Sequence, residues 1–282
     1  MTGHAMFDTA GPKARRRIIV ITWLSVALLL VLVGLAYYRF YASGALAPSK
    51  WLTFVQPATL RYLGTALVNT MLAALTAGAM ALPLGLLLAV GRLSRVTPLR
   101  WLCTGFIELF RAVPVLLIIY VFMFALPAYG INASTFFKLV LPITLCAAAT
   151  IAEVFRAGVL ALPRGQTEAG LAVGLTDRQT FRLIVLPQAL RIVIPALVAQ
   201  AVIVVKDTAF GYVVSYPELL QSGRVLIANT GDLVQTYLVV TAVYIVVNML
   251  ISAAARALDR RLARTRSGRG ILLGSRRVGG IA

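Results

Sequence analysis

Apolar residues in this chain run in long unbroken stretches, without the period-two alternation of a surface strand or the one-sided stripe of a soluble helix. Four stretches contain no Asp, Glu, Lys or Arg: 18–38, 62–91, 112–137 and 233–255. Each meets the length of about 20 apolar residues that a helix needs to cross a hydrocarbon core about 30 Å thick. Two further stretches, 139–152 and 192–205, stop short at Glu153 and Lys206. They become full spans when those charges lie inside the bilayer, facing protein or water. The pattern predicts an all-α, polytopic membrane bundle of six transmembrane helices.

Composition agrees with this reading. The chain has 282 residues, 60% of them hydrophobic and 13% charged, against about 25% charged in an ordinary soluble domain. The net charge of +18 raises the question of nucleic acid, but its distribution argues for a membrane and against nucleic acid as a partner. With the N-terminus inside, 20 of the 27 Lys and Arg fall in cytoplasmic segments and five outside, while Arg111 and Lys206 fall within spans. The positive-inside rule then places both termini in the cytoplasm.

The first apolar run follows Arg15-Arg16-Arg17, as in a secretory signal. It is longer than a signal's apolar region of about 7–15 residues. Tyr37, Tyr38 and Arg39 also precede the nearest small-residue site, so a retained helix is expected. Gly78, Pro83, Gly85 and Gly91 in the second span are read as helix-packing positions. Cys103 and Cys146 are too few for a metal site or disulfide framework and read as small packing groups. His4 stands alone in the leader.

The segment 162–187 is too long for a plain turn between packed helices, and it has helical grammar. Thr167 is placed to cap a short helix beginning at Glu168, Gly174 to end it, and Thr176 or Asp177 to cap a second one. Phe181, Ile184 and Val185 give that second helix an apolar face. Two short helices at a bend outside the membrane form a knob suited to docking in a partner's groove.

These residues resemble the EAA loop of ABC importer permeases, through Glu168-Ala169-Gly170, Gly174, Ile184 and Leu186-Pro187 at the family's spacing. Gly170 replaces the motif's third residue, a small-for-small change expected to matter little. Glu108-Leu109-Phe110-Arg111 with Pro114, 153–158, 163–166 and 186–191 resemble segments of the polar amino-acid permeases. So does Lys206-Asp207-Thr208, although Ala209-Phe210 stands where Ser-Leu is more usual and Ala199 where Asn is frequent. The resemblance implies a five-helix permease core over 60–256, with 18–40 as an additional helix, 1–17 a basic leader and 257–282 a basic tail. It implies a non-catalytic subunit that binds no cofactor, with ATP and Mg on separate ATPase subunits. The other implied partners are a second permease subunit and an extracytoplasmic amino-acid-binding protein.

Within this frame Glu168 is expected to meet a cation of the ATPase. Arg111, Glu153, Lys206, Asp207 and Thr208 are candidates for the substrate path, because charge at membrane depth costs about 2.5–3.5 kcal/mol on insertion scales. Glu153 and Arg156, three apart, can also form a local pair. No phosphate-loop pattern Gly-x-x-x-x-Gly-Lys-Ser/Thr is present. The cargo expected is a polar amino acid: glutamate, glutamine or aspartate first, basic ones next. An ion-coupled secondary transporter is the alternative, and it would show related halves with broken helices in each.

Overall fold

A computed structural model describes residues 11–274. Positions 1–10 of the leader and 275–282 of the tail lie outside the described residues, as do the side chains at 255 and from 258 onward. The described chain is helical throughout its main elements: α1 Pro12–Ala42, α2 Pro57–Arg92, α3 Thr97–Ala112, α4 Val115–Ala128, α5 Thr135–Leu160, α6 Gly165–Ala172, α7 Asp177–Val214, α8 Leu219–Thr230 and α9 Leu233–Gly274. In length and apolarity α1, α2, α5, α7 and the 233–254 part of α9 each suffice to cross a membrane. The pair α3 and α4, bent by 99°, makes a sixth span if counted as one.

That pair differs from the straight span expected over 112–137. Val113 is extended, at φ −90° and ψ 128°, because the ring of Pro114 excludes the α region for the residue before it. The helix therefore breaks at Val113. It ends again at Ala128, and Gly130 takes φ +80° in the turn to α5. Glu153 lies inside α5, and Lys206 and Asp207 lie inside α7. The two short apolar stretches thus become full-length helices that carry their charges.

Small residues set the centre of the bundle. Ala66, Thr70, Ala73, Ala74, Ala77, Ala81, Gly85 and Ala89 are buried along one ridge of α2. Facing them, α5 buries Ala147, Ala148, Ile151 and Ala152. Lipid offers apolar helices no hydrophobic reason to associate, so packing at close range must hold them together. At Gly85 a Cβ would lie 2.6 Å from Ile151 Cγ2 and 2.9 Å from the Ala148 carbonyl oxygen. Gly158 makes the same kind of approach to Val193 of α7, and Gly91 to Cys103 of α3. Cys103 is thus the packing group its apolar surroundings implied. The helix α1 buries none of its residues; just beyond it, the Gln235 side-chain amide donates to the Ala45 carbonyl.

Two wide π-turns, Val121–Ala125 and Phe181–Val185, each run directly into a Leu-Pro pair, Leu126-Pro127 and Leu186-Pro187. Proline has no N–H to donate, and its ring collides with the carbonyl four residues back. One extra residue in the turn moves that carbonyl away and keeps the helix continuous.

The ridge predicts that Gly85→Ala destabilises the bundle by about 1–3 kcal/mol, the usual cost of overpacking. Gly64→Ala, where a Cβ meets nothing within 4 Å, should be neutral or mildly stabilising. Thermal unfolding of the purified protein in detergent compares the two, and equal midpoints would contradict the packing account.

Candidate functional site

The connection between α5 and α7 is an ordered knob. Its helix α6 begins at Gly165, three residues before Glu168, and has no side-chain cap. Thr167 is therefore inside the helix rather than capping it. At the other end Gly174 takes φ +84°. Its N–H donates to the Leu171 carbonyl, and the Leu175 N–H to the Gly170 carbonyl. This is the paired closure of a Schellman end, which favours glycine at that position. The next helix is capped by Thr176. The Gln179 N–H donates to Thr176 Oγ1 and the Thr176 N–H to Gln179 Oε1, a reciprocal capping box. That helix is not a second short one, because Asp177 continues through the π-turn into the span. The knob is thus α6 clamped onto the first turns of a membrane-crossing helix.

Gly170 is the clamp. It is buried, and a Cβ there would lie 2.6 Å from Thr180 Cγ2 and 2.9 Å from Ile184 Cδ1. Thr180 is fully buried and β-branched, so it cannot swing aside cheaply. The small-for-small expectation fails here: with Thr180 opposite, even alanine is too large. A hydrogen bond of 2.9 Å from Gln188 Nε2 to Gln166 Oε1 adds a second tie. Glu168 and Ala169 remain exposed on α6, while Ile184 and Leu186 are half-buried and Pro187 exposed on α7.

Above the knob a charge network joins three helices. Glu153 of α5, with its side chain 17% exposed, accepts hydrogen bonds from Arg92 of α2 and from Arg156 one turn along α5. Arg111 of α3 stands 4.0 Å away. Arg92 also donates to Glu108 of α3 at 2.9 Å. Arg95, just past α2, pairs with Asp177 at the start of α7 at 3.0 Å. The expected Glu153–Arg156 pair is present as one arm of a larger network.

The five substrate-path candidates fall into two groups. Arg111 and Glu153 meet in this network. Lys206, Asp207 and Thr208 lie where α7 tightens into a 3-10 turn at Thr208–Val214. Lys206 is exposed, Asp207 half-buried and Thr208 fully buried. Among the described residues no ion pair joins Lys206 to Asp207. Leu139 packs at Gly211, and Glu153 lies 14 residues further along α5, a rise of about 21 Å. The two groups therefore sit apart.

A buried polar knot lies near the second group. Glu218 is fully buried and caps α8, accepting from the Leu220 and Gln221 N–H groups and from the Tyr244 hydroxyl. Asn69 donates to the Pro217 carbonyl, and the Leu219 N–H to Thr70 Oγ1. Sequence reasoning passed over this knot, and it gave Arg92, Arg95 and Glu108 no part in a charge network. For Glu218 a signal existed, since Pro217-Glu218 ahead of an apolar run is a helix start. For Arg92, whose partner is 61 residues away, the sequence offers none.

A bundle with a clamped loop of this kind defines a class, and the chain belongs to the family of binding-protein-dependent transport system inner membrane components, which it matches over residues 81–264. It is 36% identical over 235 residues to the glutamate transport system permease protein GluD of Corynebacterium glutamicum, covering 82% of this chain and 86% of that one. It is 34% identical over 197 residues to the probable glutamine ABC transporter permease protein GlnM of Bacillus subtilis, covering 70% and 91%. In three dimensions it is similar to a chain of an amino acid ABC transporter crystallised with histidines, at a TM-score of 0.71 and 25% identity, covering 75% and 98%.

The network ranks its two carboxylates. Glu153→Gln leaves three guanidinium groups facing a neutral amide in a part-buried network and should cost about 1.5–3 kcal/mol, the range of a hydrogen bond to a charged group. Glu108, with a side chain 56% exposed, should cost at most about 1 kcal/mol as Gln. Unfolding midpoints of the two variants check the order, and an equal or reversed order would contradict it.

Proposed function

We propose that this chain is the permease subunit of an ATP-driven importer of polar amino acids, with the α6 knob as the element that receives force from a separate ATPase subunit. The observation that carries the reading is the clamp at Gly170, which makes α6 and the start of α7 one rigid body. A push on α6 then moves a helix that crosses the membrane. Family membership and the glutamate and glutamine permeases among its relatives support the kind of cargo.

In this reading ATP and Mg bind to the ATPase, and this chain holds no cofactor of its own. A second permease subunit, identical or related, completes the path, and an extracytoplasmic binding protein delivers the amino acid. Both termini and the knob are cytoplasmic, in keeping with the excess of Lys and Arg on that side. Exposed Glu168 supplies the carboxylate for a charge-assisted hydrogen bond to the ATPase. Residues 169, 170, 174, 184, 186 and 187 shape and seat the knob, while Lys206, Asp207 and Thr208 face the path.

Removing the carboxylate leaves the partner's cation buried and unpaired, at about 2–5 kcal/mol. Glu168→Ala should therefore lower ATP hydrolysis stimulated by loaded binding protein at least tenfold in a reconstituted complex. Gly174→Val should do comparable harm, since a β-branched residue resists φ +84°. Membrane insertion should be unchanged in both. Full stimulation in both variants would remove the knob from the coupling role.

A further inference from the structure

Between α2, α5 and α7, near the middle of the spans, lies a cavity of about 280 Å3, lined by Gly78 and Leu82 of α2, Ile151 of α5, and Leu197, Gln200 and Val204 of α7. Pockets for drug-sized ligands start near 300 Å3, so this one suits a small solute. Gly78 keeps the α2 wall open, since a Cβ built there meets nothing within 4 Å. Every lining side chain is apolar except Gln200.

Gln200 is 7% exposed, and its amide makes no hydrogen bond to any described residue. The amide atoms are not sealed among protein atoms: they keep accessible surface at the cavity and are its one hydrogen-bonding side chain. Leucine would fill similar space without placing a polar group at membrane depth, where it is costly. A polar group that enters the cavity meets this amide. The cavity is open on one side, so the charged amino and carboxyl ends of an amino acid need not enter it, while a side chain can.

We propose that Gln200 is a specificity-determining residue that hydrogen-bonds the side-chain end of the transported amino acid and favours an uncharged amide over a carboxylate or ammonium. An amide both donates and accepts, which matches an amide partner group for group. No charge lines the cavity, so an ionised side chain would be desolvated there with nothing to compensate it. This inference rests on the permease reading above and narrows its cargo from polar amino acids to those ending in an amide.

The test is ATP-driven uptake of labelled L-glutamine and L-glutamate into proteoliposomes carrying the complete transporter, with ATP hydrolysis followed in parallel. Gln200→Leu should cut glutamine uptake roughly tenfold relative to glutamate, the loss of one buried hydrogen bond with its partner left unpaired. ATP hydrolysis should stay stimulated by loaded binding protein. Gly78→Leu, which fills the cavity from the opposite wall, should lower uptake of both solutes. A glutamine-to-glutamate ratio within twofold of wild type in Gln200→Leu would overturn the proposal. So would a parallel loss of both solutes together with the assembled complex, which would make Gln200 a packing or inter-subunit residue. Failure of the wild-type complex to take up either solute with ATP would instead overturn the permease reading itself.

Discussion

Close approach of α2 and α5 is the constraint on which the rest of the structure depends. In hydrocarbon the two helices gain nothing by hiding apolar surface from lipid, so they hold together by contact at short range. The ridge from Ala66 to Ala89 supplies it, and Gly85 against Ile151 leaves no room for a Cβ. Once α2 is fixed on α5, Arg92 at its end comes within reach of Glu153. That pair draws in α3 through Glu108 and Arg111. Arg95, three residues on, reaches the start of α7. The knob is therefore joined to the bundle covalently through α5 and α7, and the exposed Arg95–Asp177 pair just past the end of α2 adds a weak surface contact.

Much of this was legible in the sequence, for physical reasons that differ from element to element. Span positions follow from the absence of charge, because the bilayer penalises each charge independently of the fold. The end of α6 followed from Gly174, since a left-handed φ is a local requirement that glycine announces. The start of α6 did not, because it has no capping side chain and Thr167 therefore misdirected the reading. The bend at Val113 was hidden by an apolar stretch whose length alone looked like a span, although Pro114 carried the signal. Gly170 was misjudged because its size limit is set by Thr180, ten residues later and across a helix interface. The Arg92–Glu153 and Glu218–Tyr244 contacts depend on tertiary placement and leave no local mark.

The two regions of interest lie on the same helix. α7 begins at the knob, passes the cavity at Gln200 and then tightens into the 3-10 turn at Thr208. Its wide turn before Leu186-Pro187 and Pro195 inside the helix both lie between knob and cavity. In the permease reading, force received at α6 travels along α7, and the residues that face the cargo move with it. In that same reading the small-residue seam is what keeps α2 and α5 in place while α7 responds. A loop that merely tethered two spans would need no helix packed onto one of them.

The central claim is that α6 and α7 act as one body because Gly170 seats on Thr180. The most direct measurement is ATP hydrolysis stimulated by loaded binding protein in reconstituted complexes carrying Gly170→Ala, Thr180→Ala or both. The account predicts a several-fold loss in Gly170→Ala and recovery in the double variant, where removing the Thr180 branches makes room for the new methyl group, a non-additivity expected of residues in contact. Wild-type stimulation in Gly170→Ala, or a double variant no better than Gly170→Ala alone, would contradict it.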